Sequence, residues 1–451
     1  MKKLQIQLMV YITISIIVYS FSSTLPADGA LDSYKELESE TFGDDSRSES
    51  PILNQSSRLS DYLAYAAFNN PQLEAAFNRW KAALEKIPQV RSLPDPRFSY
   101  AYYIENVETK VGPQRHKIDL SQTFPWFGKL ELLGGIALHD ANIQRQNYET
   151  LKLILFYKIK ESYYEYYHLA RALAITEENM KLMSYFENIA RTKYSAGTAT
   201  YADVIKAQVE LGKLEERILS LNELKEPLSA QLSAALNRPF DEILPLPSAL
   251  PEEDILLSDD EIITRTKEYN PDLKAHEFKI SKDTESIHLA QKQYYPDITV
   301  GVSYIGTGNS DMPGTAESGK DPFISMMTIN LPIWRNKYRS AVREAELRHV
   351  TSVKERDNRA NSLIDEVKTV LYNFRDSERK VQLYRDTLIL KAKQSLNVTQ
   401  KAFETGNKDF LNLIDAQRTL LELELAYERA LTDRTKHCAR IEMLTGGNYK
   451  E

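Results

Sequence analysis

The amino-acid sequence predicts a mainly α-helical chain built from two copies of one unit, in which each unit adds two short strands to very long antiparallel helices. Three observations carry this expectation. An internal repeat has a period near 200 residues, two long stretches almost free of Gly and Pro carry narrow apolar stripes, and four short segments alternate in polarity.

The repeat comes first because it organises the rest. Asn70-Pro71-Gln72-Leu73 recurs as Asn270-Pro271-Asp272-Leu273, and Pro94-Asp95 recurs as Pro296-Asp297. Phe124-Pro125-Trp126 is echoed by Leu331-Pro332-Ile333-Trp334, and Tyr194-Ser195-Ala196-Gly197 by Phe403-Glu404-Thr405-Gly406. Ala207-Gln208 returns as Ala416-Gln417. The offset drifts from 200 to 209 residues, so the insertions fall mainly between the two prolines of each unit. Five echoes in one order make a duplication, with period far beyond that of solenoid repeats. The units are expected at residues 58–250 and 251–451, with a Pro-rich joint from Pro239 to Pro251.

Each unit reads as helix, two strands, very long helix, tight turn, return helix. The first helix is expected from Leu59 or Ser60, with Ser60 as N-cap, to about Val90. Its counterpart starts after Ser258 or Asp259 and ends near Tyr294. The long helices are expected from about Gly128 to Tyr194 and from about Asn336 to Glu404. At 1.5 Å per residue each is on the order of 100 Å long. Leu363, Val367, Val370, Leu371 and Phe374, then Val381, Tyr384 and Leu388, mark one narrow face; Leu411, Ile414, Leu421 and Leu425 match it on the return helix. Charged residues fill the intervals, which predicts coiled-coil-like packing with wet faces.

The strands are expected at about 97–106, 116–124, 297–305 and 323–331. Phe98, Tyr100, Tyr102 and Ile104 alternate with Arg97, Ser99, Ala101 and Tyr103; Ile118, Leu120 and Phe124 alternate with Lys117, Asp119, Ser121 and Thr123. Ile298, Val300, Val302 and Tyr304 form the third row, and Phe323, Met327, Ile329 and Leu331 the fourth. Segments of about 9 to 11 residues span a membrane as tilted strands. Period-2 alternation with aromatics suits one face in lipid and one in water. Four strands cannot close a barrel, and open edges in lipid leave backbone groups unpaired at several kcal/mol each. The barrel is therefore expected to be shared between protomers.

Composition removes other classes. The 451 residues include 16 Gly, 18 Pro and 26 Tyr, and 27% are charged, a balance that favours long solvated helices over a loop-rich enzyme. The single Cys438 excludes intramolecular disulfides and thiolate zinc sites. A net charge of −7 argues against a nucleic-acid groove. The seven histidines show no metal-ligand spacing, so neither a metal site, a cofactor nor an enzyme is expected. Gly314 to Asp321 nearly matches a phosphate-binding loop, but Asp321 stands where a Ser or Thr is needed. With Gly306 to Asp311 it reads as a polar extracellular loop. Tyr157, Tyr163, Tyr164, Tyr166 and Tyr167 read as packing between helices.

Residues 1–29 read as a secretory signal: Lys2 and Lys3 precede an apolar run from Leu8 to Val18, with cleavage between Ser23 and Ala30. That run is shorter than the roughly 20 residues a spanning helix needs. No cysteine near the cleavage region offers an N-terminal lipid anchor. Residues 30–57, rich in Asp and Glu, read as an acidic disordered leader.

From about Leu59 to Leu444 the chain resembles the TolC-like outer-membrane efflux family. The resemblance rests on Ser121-Gln-Thr-Phe-Pro-Trp-Phe-Gly-Lys129 with Leu331-Pro-Ile-Trp-Arg-Asn-Lys337, and on Lys193-Tyr-Ser-Ala-Gly-Thr-Ala-Thr-Tyr201 with Phe403-Glu-Thr-Gly-Asn-Lys-Asp-Phe410. It implies a homotrimer with a 12-strand outer-membrane barrel, continued by a periplasmic α-barrel of 12 helices. It also implies a periplasmic adaptor and an inner-membrane pump, of RND or ABC type, as partners. The turns at Gly197 and Gly406 would form the periplasmic tip, where Thr198, Ala199 and Asn407 could receive an adaptor's helical tip. The resemblance further implies a gate just above the turns, matched here by Asp203, Phe403, Lys408, Asn412 and Asp415. Phe403 stands in place of a gate tyrosine, Lys408 in place of a basic gate partner and Asn412 in place of one ring acid. Three copies of Asp415 about a narrow axis would attract cations.

Three functions follow as candidates: a passive exit duct for small molecules or metal cations in a tripartite efflux system, the duct of a type I protein-secretion system, and a periplasmic coiled-coil scaffold without a pore. Localisation is expected at the outer membrane of a Gram-negative bacterium, in contact with lipid.

Overall fold

The structure is a computed structural model that describes residues 53–54, 57–239, 244–247, 249–251, 255, 257–405 and 409–447. The signal segment, most of the acidic leader, and Gly406, Asn407 and Lys408 lie outside the described residues. The elements run α1 (Leu59–Asn69), α2 (Pro71–Arg91), β1 (Arg97–Val107), β2 (Gln114–Phe124), α3 (Lys129–Ser195), α4 (Tyr201–Glu223) and α5 (Lys225–Leu236). They continue as α6 (Asp259–Tyr269), α7 (Pro271–Lys292), β3 (Ile298–Thr307), β4 (Phe323–Ile329), α8 (Arg335–Leu383), a π-turn (Tyr384–Leu388), α9 (Ile389–Glu404) and α10 (Phe410–Leu444). The chain divides into two compact units, one holding residues 81–141 and 282–346, the other 48–80, 142–281 and 347–451. Among the described residues no helix is long and apolar enough to cross a membrane.

In the first unit the four strands form one antiparallel sheet in the order β1-β2-β3-β4. The two hairpins repeat each other in register: Arg97 lies opposite Ser121 as Thr299 lies opposite Thr328, and Phe98 opposite Leu120 as Val300 opposite Met327. The duplication is therefore kept residue for residue across both hairpins. The pairing of β2 with β3, from Phe124 opposite Ile298 to Gln114 opposite Thr307, joins the two repeats.

The pairings sort the side chains by face. Phe98, Leu120, Val302, Tyr100, Ile118, Tyr304, Val300 and Met327 share one side. Much of this side is open, with Phe98 and Met327 each 67% exposed. The other side carries most of the polar residues, with Ile324 and Met326 among them. Lys117 pairs with Asp119 at 2.9 Å, Ser99 donates to Asp119 at 3.3 Å, and the hydroxyls of Thr123 and Thr299 lie 2.9 Å apart. A two-hairpin soluble core would bury the first side. The exposed apolar row is instead what a lipid-facing strand surface presents. On that row the His116 ring lies over Gly306, where a Cβ would meet the imidazole at 2.3 Å, so the ring fills the space a side chain would take.

Four expectations need correction. The first helix of each repeat is broken at the Asn-Pro pair, because the Asn side chain caps a new helix with Pro as its first residue. Asn70 Oδ1 accepts from the amides of Gln72 and Leu73 at 3.0 and 3.1 Å, and Asn270 Oδ1 from Asp272 and Leu273 at 3.1 and 3.2 Å. The N-cap of α1 is Arg58, not Ser60, since Asp61 reaches back to the Arg58 amide at 2.7 Å. The second long helix is not continuous: Tyr384–Leu388 is a π-turn in which the Ile389 amide donates to Tyr384, one residue wider than an α-turn. β4 stops at Ile329, because Asn330 Oδ1 accepts from the Asp297 amide at 2.5 Å and Pro332 has no amide to donate.

The second unit is helical. Phe374, Leu363, Val367, Leu371, Cys438 and Ile441 form one buried cluster, while Met183, Phe186, Val204, Leu396, Phe403, Phe410, Leu413 and Ile414 belong to another. The tyrosine group is packing, with Tyr163 edge-on to Tyr62 at 5.4 Å and Tyr166 donating to the Leu244 carbonyl at 2.6 Å. Asp321, in the decoy phosphate loop, accepts from Tyr304 at 2.5 Å and the Thr307 amide at 2.7 Å, so it ties the β3–β4 loop down.

Candidate functional site

Of the residues singled out for tip and gate, Gly197, Thr198, Ala199, Asp203, Phe403, Asn412 and Asp415 are described, and they lie in the second unit around the end of α3, the start of α4, the end of α9 and the start of α10. α3 ends in a Schellman motif: the Thr198 amide donates to Lys193 at 2.8 Å and the Gly197 amide to Tyr194 at 2.9 Å. Gly197 has a φ of +73°, and a Cβ there would meet nothing within 4 Å, so its role is conformational rather than steric. The return helix α4 opens with Thr200 as N-cap. Asp203 accepts from the Thr200 amide at 3.1 Å and its hydroxyl at 2.8 Å. Asp203 is thus a capping carboxylate. Thr198 is exposed with its hydroxyl on the Lys193 carbonyl at 3.1 Å, and Ala199 beside it is half-buried.

The second hairpin meets the first through Phe403, which is 4% exposed and packs on Phe410 at 5.2 Å between ring centroids. Lys193 donates to the Phe403 carbonyl at 2.6 Å and holds its ammonium 4.9 Å from the Phe403 ring. Lys193 satisfies an end carbonyl of α9 that a helix terminus leaves orphaned. On α10, Asn412 and Asp415 are exposed, on the face away from the buried Leu413, Ile414 and Gln417.

Away from the turn, polar pairs tie the helices at intervals. Gln417, 1% exposed, donates to Asn179 at 3.0 Å, and Gln208 donates to Glu187 at 3.3 Å. The two glutamines of the Ala-Gln echo therefore both bond to α3. Glu210 takes Arg418 as a forked partner, with Nε at 2.8 Å, and also Lys213 at 2.8 Å. The Arg418 hydrogen bond comes first among the causes that hold the Glu210 carboxyl below its ordinary range, with Lys213 adding to it. Glu165 accepts from Arg429 at 2.9 and 3.0 Å and from Lys436 at 2.6 Å. Burial alone would raise the Glu165 carboxyl, but these hydrogen bonds outweigh it and hold it at about 2. Lys193, Glu187, Glu210, Arg418 and Asn179 were not among the candidate residues. The Lys193–Tyr201 motif and the Ala-Gln echo are the sequence signals in their neighbourhood.

A family profile described as outer membrane efflux protein matches residues 63–238 and again residues 262–447. The chain belongs to the outer membrane efflux protein family. Membership makes it an outer-membrane efflux channel of the TolC-like fold. Nodulation protein T of Rhizobium leguminosarum bv. trifolii is 21% identical over 415 residues, covering 87% of this chain and 86% of that one. Outer membrane protein OprJ of Pseudomonas aeruginosa is 23% identical over 72% of this chain and 68% of its own length. The solved outer membrane protein VceC of Vibrio cholerae superposes with a TM-score of 0.69 at 16% identity, over 87% of this chain and 97% of that one. The structural likeness supports the fold alone. Neither the family nor these relatives are described as enzymes.

Proposed function

We propose that this efflux channel is the passive exit duct of a tripartite system, a homotrimer that receives substrates from an inner-membrane pump through a periplasmic adaptor. One observation supports it above all: a four-stranded sheet with an exposed apolar face and two unpaired edges. In lipid, edge groups must be paired, and the even number of strands in bacterial barrels is satisfied by three copies. The polar face with Asp119, Lys117 and Ser99 then lines water, and the face with Phe98 and Met327 meets hydrocarbon.

In this reading residues 1–29 direct export, 30–57 form a leader, and 58–250 and 251–451 are the two repeats. The turn at Gly197, Thr198 and Ala199, with Gly406 and Asn407, meets the adaptor. Asp415 and Asn412 contribute to a ring about the channel axis, Asp203 caps α4 beside it, and Phe403 and Lys408 belong to the same closed end. The test is fractionation of the native cell envelope on a density gradient, with the molecular mass of the detergent-extracted protein. A trimer in the outer-membrane fraction is expected. A soluble periplasmic protein, or an outer-membrane monomer, contradicts the reading.

A further inference from the structure

Where the sheet passes into the helices, the chain closes one ion-paired knot on itself and holds the parts of another. Lys129, 5% exposed, donates to Asp297 at 2.8 Å and to the Tyr295 carbonyl at 3.0 Å. Asp297 also accepts from the Trp126 amide at 2.9 Å, and the Trp126 indole stacks on Tyr295 at 5.3 Å and 14°. The knot joins the exit of β2 to the entry of β3, which is the seam between repeats.

The duplication supplies the same parts in the reverse combination. Asp95 follows Pro94 as Asp297 follows Pro296. The Lys337 amide donates to Trp334 at 3.0 Å just as the Lys129 amide donates to Trp126 at 3.0 Å, so Lys337 and Trp334 occupy the places of Lys129 and Trp126. Asp95 stands at the entry of β1 and Lys337 follows the exit of β4, the two outer edges of the sheet. Among the described residues neither has an ion-pair partner. Trp334 is 73% exposed, whereas Trp126 is half-buried against its tyrosine. An exposed indole, a lysine whose ammonium meets only the Tyr338 ring at 5.6 Å, and a carboxylate without an ion-pair partner are what remains when one half of each knot belongs to another molecule.

We propose that Lys337 and Trp334 of one copy dock on Asp95 and Leu93 of a second copy, forming a lock between subunits at the base of the barrel. Leu93 holds the place of Tyr295, and its carbonyl is the second acceptor for Lys337. The inference rests on the shared-barrel assembly proposed above. The β2–β3 register, transferred through the repeat, sets Ile329 opposite Phe98, Thr328 opposite Ser99 and Met327 opposite Tyr100 of the second copy. That transfer keeps Ile329, Met327, Phe98 and Tyr100 on the apolar face and Thr328 and Ser99 on the polar one, as the hairpins require.

Charge reversal tests the lock. Asp95→Lys and Lys337→Asp are each expected to lower, by several degrees, the temperature at which the purified oligomer dissociates. The double variant is expected to recover most of that loss. A paired Thr328→Cys and Ser99→Cys variant is expected to cross-link copies under mild oxidation, and Thr328→Cys with Ala101→Cys to remain un-cross-linked. Cross-linking of the Thr328–Ser99 pair without charge rescue overturns the lock and leaves the assembly standing. A wild-type protein that is monomeric throughout overturns both.

Discussion

Lys193, at the end of one helix of the first hairpin, donates to the backbone carbonyl of Phe403, 210 positions later on the second. Its ammonium also lies over the Phe403 ring. One cation thus joins the two hairpins beside their turns and takes up an orphan helix-end carbonyl. A hydrogen bond to a charged group contributes about 1.5–3 kcal/mol. Lys193→Met keeps the aliphatic stem and removes the charge. Faster chymotryptic cleavage around Tyr194, Tyr201 and Phe403 is expected, with the strand region equally protected. Cleavage at the wild-type rate would show that Lys193 does not hold the hairpins.

Gly197 separates backbone from packing. Because a Cβ meets nothing there, Gly197→Ala costs only the left-handed backbone, about 1–2 kcal/mol. Asn tolerates that conformation better, so Gly197→Asn is expected to fall between Gly and Ala in thermal midpoint. Equal midpoints for all three would mean that the turn has another backbone.

The two faces of β1 are expected to answer differently to charge. Tyr100→Lys places an ammonium on the apolar side and Ala101→Lys on the polar side. A lysine facing lipid at mid-depth costs about 2–4 kcal/mol. Tyr100→Lys should reduce the folded outer-membrane fraction, and Ala101→Lys should not. The reverse order would invert the sheet.

Acidification is expected to destabilise the helical unit in two stages. Burial first, and Arg429 second, lower His168 from the usual 6.5, against the opposing pull of Glu165, Asp433 and Glu428. Burial likewise lowers His437, against Asp433, with Lys436 and Arg429 adding to the depression. Both stay neutral when folded and bind protons more readily when unfolded, so stability falls as pH drops below 6.5. Glu165 adds a second loss as pH falls from its usual 4.5 toward about 2. The thermal midpoint should be flat above about pH 7 and decline in those windows. His168→Gln with His437→Gln should flatten the upper window and Glu165→Gln the lower, while unaltered slopes would remove these groups from the acid response.

The fold was largely legible because duplication and polarity period are written in residue order. Asn70 and Asn270, Pro94 and Pro296, and the alternating rows from Phe98 and Ile298 mark the elements in residue order alone. Interruptions were less legible. The π-turn at Tyr384–Leu388 has no Gly or Pro to announce it, and Asn70 acts through its side chain on amides beyond a proline. The tip was half legible: Gly197 follows from its positive φ, but Lys193 on the Phe403 carbonyl joins positions with no fixed sequence separation. Asp203, which the resemblance assigns to the gate, caps Thr200, a role visible in the Thr-x-x-Asp spacing itself.

The central claim is that this chain assembles into a conduit, and single-channel recording in planar bilayers tests it most directly. Purified wild-type oligomer is expected to insert with uniform stepwise conductance and to prefer cations, and Asp415→Ala to weaken that preference. Insertion without any conductance steps, at protein densities where the oligomer is intact, would contradict it.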